Sequence, residues 1–229
     1  MAVPLTPAPA SEAVFSQKFS PMFQLAPGLE LILASASSRR QQFLSEWGLP
    51  FATVRPTGVE PRPEAGEKPD AYTCRAAQAK ALAVERRLAP ATRARSLILA
   101  ADTVVALEGD ILGKPRDTAH TLKMLARLAG RSHEVISAVC LLPPPGWPGG
   151  PGELFSDVSR VFFHAWPRSV LEAYARTHEP DDKAGAYAIQ GQGAFLVERV
   201  EGSWSTVVGL PVTPLVCILL EYGLIFPAD

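Results

Sequence analysis

The chain has 229 residues, 47% of them hydrophobic and 20% charged, which is apolar enough to bury a core and excludes a wholly disordered protein. Twenty-two Lys plus Arg against 23 Asp plus Glu leave a net charge of -1. Long nucleic acid and an anionic membrane are therefore poor main partners, and any basic site is local.

The first 28 residues hold Pro4, Pro7, Pro9, Pro21 and Pro27 but only two charges, Glu12 and Lys18. They read as a flexible extension (1–28) ahead of one domain (29–229), with neither the pattern of a signal peptide nor that of a mitochondrial presequence. Leu29 to Ala34 is a short apolar strand that runs into Ser35, Ser37 and Ser38, then an amphipathic helix with Phe43, Leu44 and Trp47 before Gly48. Asp70 can cap an alanine-rich helix reaching about Leu88. Leu97 to Leu107 reads as a buried strand interrupted by one carboxylate, Asp102, and Glu108 to Asp110 as a turn.

Asp117 caps a helix whose Leu122, Leu125 and Leu128 share a face and which stops at Gly130. Glu134 to Leu142 and Leu154 to His164 are strands across the Pro- and Gly-rich stretch from Leu142 to Gly152. A short helix over Ser169 to Arg176, a strand over Ala194 to Val200 and a last helix opened by Pro211 complete the pattern, a mixed α/β domain. The apolar run from Val212 to Phe226 is broken by Thr213, Pro214 and Glu221 and falls short of the ~18 residues of a spanning helix, so no membrane partner is expected. Cys74, Cys140 and Cys217 are odd in number and lack CxxC spacing, which argues against a disulfide framework or a structural zinc site and fits a cytoplasmic protein.

Three segments carry candidate chemistry. At the strand-to-helix junction, Ser35, Ser37, Ser38, Arg39 and Arg40 combine hydroxyls, guanidinium forks and a helix N-terminus into an anion cradle, with a plain serine cap and solvated arginines as the alternative. Asp102 within an apolar strand is either a metal ligand or base, or half of a structural ion pair, because a buried carboxylate needs compensation. Lys114 in Gly113-Lys114-Pro115 can reach back to the same place. In the stretch from Glu179 to Gly191, Asp182 and Lys183 can orient each other or a phosphate, and Gln190 offers the donor and acceptor pair that a base edge requires, unless the stretch is simply a tight loop with solvated charges. Lys80 stands alone on an alanine-rich helix, where most lysines snorkel to the surface.

In order along the chain, LASASSRR at 33–40, AADTVV at 100–105, ILGKP at 111–115, DKAGAYAIQG at 182–191 and VVGLP at 207–211 resemble the Maf family of nucleoside triphosphate pyrophosphatases. The resemblance spans about Leu29 to Leu224. It implies an α/β fold built on a mixed twisted sheet with flanking helices and a central cleft, akin to inosine triphosphate pyrophosphatase and usually homodimeric. It also implies hydrolysis of a nucleoside triphosphate to monophosphate and pyrophosphate, with a divalent metal cation, Mg or Mn, as cofactor. The Arg39-Arg40 pair, the Ala-Asp-Thr around Asp102 and the Ile189-Gln190-Gly191 ending resemble the subgroup acting on dTTP and UTP rather than the one acting on 7-methyl-GTP.

Carried onto this sequence, the resemblance implies that Ser35, Ser37, Arg39, Arg40, Lys80, Lys114 and Lys183 hold the triphosphate, that Asp102 with Glu60 binds the metal and acts on water, and that Gln190 reads the base. Two departures stand out. Ser38 replaces a proline of the serine loop, and Pro61 stands where the family has a second acid, with Glu60, Glu64 or Glu67 as replacements. The second departure makes a catalytically weak nucleotide-binding regulator the rival reading.

Overall fold

The computed structural model describes residues 20–58 and 61–228. In chain order the elements are β1 (Phe23–Leu25), β2 (Glu30–Leu33), α1 (Ser38–Glu46), β3 (Phe51–Thr53), α2 (Pro69–Glu85), α3 (Pro90–Arg93), β4 (Ser96–Leu107), β5 (Asp110–Leu112), α4 (Thr118–Leu128), β6 (Ser132–Leu142), β7 (Glu153–Phe163) and α5 (Arg168–Ala175). Three short 3-10 segments follow, at Glu179–Asp182, Ala184–Ala186 and Gly191–Leu196. β8 (Val197–Glu201), α6 (Trp204–Val208), α7 (Val212–Glu221) and β9 (Ile225–Pro227) end the fold.

Among the described residues the main sheet runs β3-β2-β4-β6-β7-β8, with β5 beside the far end of β4. β3, β2 and the start of β4 are parallel, and β4, β6, β7 and β8 are antiparallel. The sheet is mixed and carries helices on both faces. Leu31, Leu33, Leu97 and Leu99 pack with Leu44 of α1 and with Leu215 and Leu219 of α7. Ile32, Ile98 and Ala100 turn the other way onto Ala77, Ala81 and Val84 of α2, as the two-residue period of a strand requires. The alanines matter here, because small side chains let α2 lie close against the sheet. A second core, with Met124, Leu125, Leu128, Leu171 and Tyr174, gathers α4 and α5 beside Val105 and Leu107.

The unequal strand lengths open a gap at the centre. β4 pairs with β6 from Ile98 to Ala106 on one side. On its other side it pairs with β2 only over Ser96 to Leu99 and with β5 only over Val105 to Leu107. The edge from Ala100 to Val104 has no strand neighbour on that side among the described residues, and Asp102 sits in its middle.

Several expectations shift. Phe23–Leu25, placed by the sequence in the flexible extension, is a strand paired antiparallel with Ile225–Pro227, held by a partner some 200 residues away that no local pattern shows. Residues 1–19 of the extension lie outside the described residues. α2 starts one residue before Asp70, with Pro69 at a first helical position and Asp70 in the first turn. The strand expected from Ala194 begins at Val197, because Gly191, at φ 84°, and the residues after it wind into a 3-10 turn. Asp117 caps α4 as expected, accepting from His120 N–H at 2.7 Å.

Candidate active site

A cleft of about 990 Å³ opens at the gap beside Ala100–Val104. Its wall includes Ser35, Ser37, Arg39, Arg40, Lys80, Asp102, Lys114, Lys183 and Gln190, so candidates far apart in sequence face one space. Glu60 lies outside the described residues, while Gly58 and Pro61 on either side of it line the cleft.

Asp102 is a buried carboxylate, 6% exposed. The strand period that sends Ile98 and Ala100 toward α2 sends Asp102 the same way, and there it forms an ion pair with Lys80 Nζ. Lys80 is thus the compensating cation that the buried acid needs rather than a snorkelling surface group. Both atoms border the cleft, where a polyanion can compete for the lysine.

The serine loop supplies donors. Ser37 occupies the N-cap of α1 but makes no side-chain capping bond, so the first backbone N–H groups of the helix are not taken by a cap. Ser35 Oγ instead accepts from Ser37 N–H and from Arg40 Nη1, both at 3.2 Å, and braces the loop. The two arginines divide their work. Arg40 is buried, and donates to Gly209 O and Ala101 O at 2.8 Å and to Thr103 Oγ1 at 2.9 Å. Its fork ties the loop to the open edge of β4 and to the α6–α7 turn. Arg39 donates only its Nε, at 3.1 Å, to Val208 O in the bonds described. Burial lowers the pKa of Arg39 from the ordinary guanidinium value, and the charge of Asp182 opposes that.

The opposite wall is the 182–190 stretch. Gly185 N–H donates to Gly113 O at 3.1 Å, which fastens this stretch to the turn carrying Lys114. Gly185 has φ 70°, and a Cβ there would stand 2.8 Å from Val105 Cγ2, so both the backbone and the space call for glycine. Lys183 pairs with Asp182. Burial pushes the Asp182 carboxyl up, but the hydrogen bond from Lys183 and the charges of Lys183 and Arg39 outweigh it and leave the group below its usual value.

The sequence did not single out the groups that hold Gln190 in place. The Glu179 carboxylate accepts from Gln192 N–H at 2.9 Å and Gly193 N–H at 2.7 Å, and the Tyr174 hydroxyl accepts from Ala188 N–H at 3.2 Å. The Tyr187 hydroxyl is 2.8 Å from Nε2 of His133, which is buried and stacks edge-on against Phe163 and Tyr187. Burial lowers His133 to about 4 and keeps Tyr174 and Tyr187 protonated. Arg55 and Arg86 also line the cleft, and nothing in their sequence context marks them.

Two replacements for the missing second acid are not brought to the cleft. Glu67 receives a two-pronged bond from Arg75, at 2.8 and 2.6 Å, which holds its carboxyl down at about 2. Glu64 lies 3.8 Å from the same arginine. Neither lines the cleft. Pro61 does, with its carbonyl accepting from the Tyr72 hydroxyl at 3.0 Å. Among the described residues no three His, Cys, Asp or Glu side chains converge as a ready-made metal cage.

The sequence profile of the Maf-like protein family matches residues 30–222. The chain belongs to the Maf family. A dTTP/UTP pyrophosphatase of Nitratidesulfovibrio vulgaris is 49% identical over 195 residues, 85% of this chain and 89% of its own. That of Oleidesulfovibrio alaskensis is 50% identical over 200 residues, covering 86% and 87% of the two chains. That of Myxococcus xanthus is 45% identical over 197 residues, 86% and 94%. Among solved structures, a nucleoside-triphosphatase / dITP/XTP pyrophosphatase from Mycobacterium abscessus aligns over 84% of this chain and 94% of its own at 16% identity and a TM-score of 0.40, too slight a likeness to support a conclusion. The Maf profile runs through every segment that lines the cleft, from the serine loop to the end of α6.

Proposed function

We propose that this Maf-family chain hydrolyses dTTP and UTP to the nucleoside monophosphate and pyrophosphate. One observation carries the reading: the serine loop, Lys80, Asp102, Lys114, Lys183 and Gln190 share one cleft, whose size suits a nucleotide, and relatives covering most of the chain are dTTP/UTP pyrophosphatases. In the reaction a water oxygen bonds to the α-phosphorus, the bond from that phosphorus to the α,β-bridging oxygen breaks, and pyrophosphate leaves with the electron pair. Asp102 orients the water and takes its proton. Arg39, Lys114 and Lys183 spread the charge of the phosphates, joined by Lys80 as it turns from Asp102, while the helix N–H groups cradle one phosphate. Gln190 presents its amide donor and acceptor to the pyrimidine edge.

A divalent cation, Mg or Mn, belongs to the proposal. The donor set fits an ion that arrives with its phosphates, since one or two carboxylates suffice when phosphate oxygens and water complete the shell. Asp102 would hold it with Glu60, and when bound it would neutralise phosphate charge and lower the pKa of water. We also propose a cytoplasmic homodimer. Exposed Leu154 and Val158, four residues apart on β7, give a second copy an apolar face to cover, and the unpaired pattern of Cys74, Cys140 and Cys217 suits a reducing compartment.

The test is turnover of dTTP, UTP, dCTP, ATP and 7-methyl-GTP with separate detection of pyrophosphate and phosphate. The proposal expects pyrophosphate, and a kcat/KM for dTTP and UTP at least about tenfold above the others. Preference for 7-methyl-GTP, or nucleotide binding without turnover, contradicts it.

A further inference from the structure

Arg55 and Arg86 line the same cleft as the reactive groups and have no role in the account so far. They come from two elements brought together by tertiary structure. Arg55 follows β3, whose last hydrogen bond passes from Val54 N–H to Leu33 O, so it emerges beside the serine loop at the carboxyl ends of the parallel strands. Arg86 caps the end of α2. The next residue, Arg87, donates from Nη1 to Arg55 O at 2.9 Å and fixes the two segments to each other.

The face of α2 that borders the cleft carries Ala79, Lys80, Ala83 and Arg86, a spacing of three and four residues that makes one stripe. Arg86 lies about 9 Å along the helix from Lys80 at 1.5 Å per residue, a displacement that a triphosphate and its outer oxygens can span. Both arginines are exposed, and neither guanidinium forms an ion pair among the described residues. Three of the other cleft cations are partly committed, Lys80 on Asp102, Lys183 on Asp182 and Arg40 on backbone carbonyls, which leaves Lys114 and the terminal nitrogens of Arg39 to share the phosphates with Arg55 and Arg86. A helix C-terminus favours an arginine at residue 86, but that does not place a second one beside it on the cleft wall.

The direction of the nucleotide follows from the walls. Gln190 and Lys183 belong to the side packed on α4 and α5, whereas Arg55 and Arg86 belong to the side built from β3 and α2, with the phosphate cradle of α1 next to them. A base read at Gln190 therefore sends the phosphate chain toward the arginines. We propose that Arg55 and Arg86 form a subsite for the β- and γ-phosphates of the substrate, which becomes the site of the departing pyrophosphate. The proposal rests on the pyrophosphatase reading of the cleft. Guanidinium forks suit it, because they match phosphate oxygens in pairs and strengthen as charge accumulates on the leaving group.

The test is calorimetric binding of pyrophosphate, and separately of UMP, to the full chain in Mg buffer, for wild type, Arg55→Ala, Arg86→Ala, the double variant and Arg86→Lys. Each alanine should raise the Kd of pyrophosphate about tenfold, with the lysine intermediate, while the Kd of UMP stays within about twofold. Melting temperatures should match wild type, since both side chains are exposed. Unchanged pyrophosphate affinity, or an equal loss for UMP, overturns the subsite. The readout is binding rather than turnover, so a wild type that binds pyrophosphate through these arginines but hydrolyses neither dTTP nor UTP overturns the substrate reading alone.

Discussion

Arg39 and Arg40 are neighbours of one residue type, and the sequence treats them as a pair. The structure gives them different work. Arg40 meets backbone carbonyls at Gly209 and Ala101 and two hydroxyls, so Arg40→Ala leaves buried acceptors without a donor. Such groups cost about 1–3 kcal/mol to leave unmade, and the melting temperature should fall by roughly 5–10 °C. Arg39→Ala should leave melting within about 2 °C and instead weaken a nonhydrolysable UTP analogue about tenfold, since its terminal nitrogens are the ones left for phosphate. Calorimetry and thermal unfolding of the two variants separate these roles, and identical behaviour contradicts the division. Asp102→Asn keeps volume but not charge, and turnover should fall by about 10²–10⁴ with an unchanged far-UV spectrum. Asp102 was legible because a lone acid in an apolar strand demands a partner. Its partner Lys80 was not, since helix and strand meet only through the fold.

At the scale of elements, long periodic segments were readable and short ones were not. α4, with its Asp117 cap and leucine face, follows from local sequence, as do the β6–β7 hairpin and the strand carrying Asp102. β3 and β9 have three residues each, and what makes them strands is the neighbour they pair with. The gap at Ala100–Val104 was equally hidden, because it arises from the difference in reach between β2, β5 and β6. The 182–190 wall shows the cost of one altered backbone. Gly185→Ala forces a Cβ into Val105 at a positive φ, and should destabilise the chain by about 1–3 kcal/mol while raising KM for UTP more than it lowers kcat. Steady-state kinetics with a denaturant titration check this, and an unchanged KM would mean that the wall does not position Gln190.

For the whole molecule, acid stability reports on the second core. His133 is buried and neutral with a pKa near 4, against 6.5 for the ordinary group. Between those values the unfolded chain holds a proton that the folded chain does not. Stability is therefore full above pH 6.5 and declines as pH falls toward 4, by about 3 kcal/mol from this group. Denaturant titrations across that range should show the decline, and His133→Gln should flatten it; an equal slope in both proteins would place the acid sensitivity elsewhere. The two cores meet across the cleft, with the serine loop and Asp102 on one side and Gln190 on the other, and the proposed mechanism expects the α-phosphorus to face Asp102. Hydrolysis of UTP in ¹⁸O-enriched water reads this directly by mass spectrometry of the products. Attack at the α-phosphorus places the label in UMP and leaves pyrophosphate unlabelled; label in pyrophosphate or in inorganic phosphate would contradict the account.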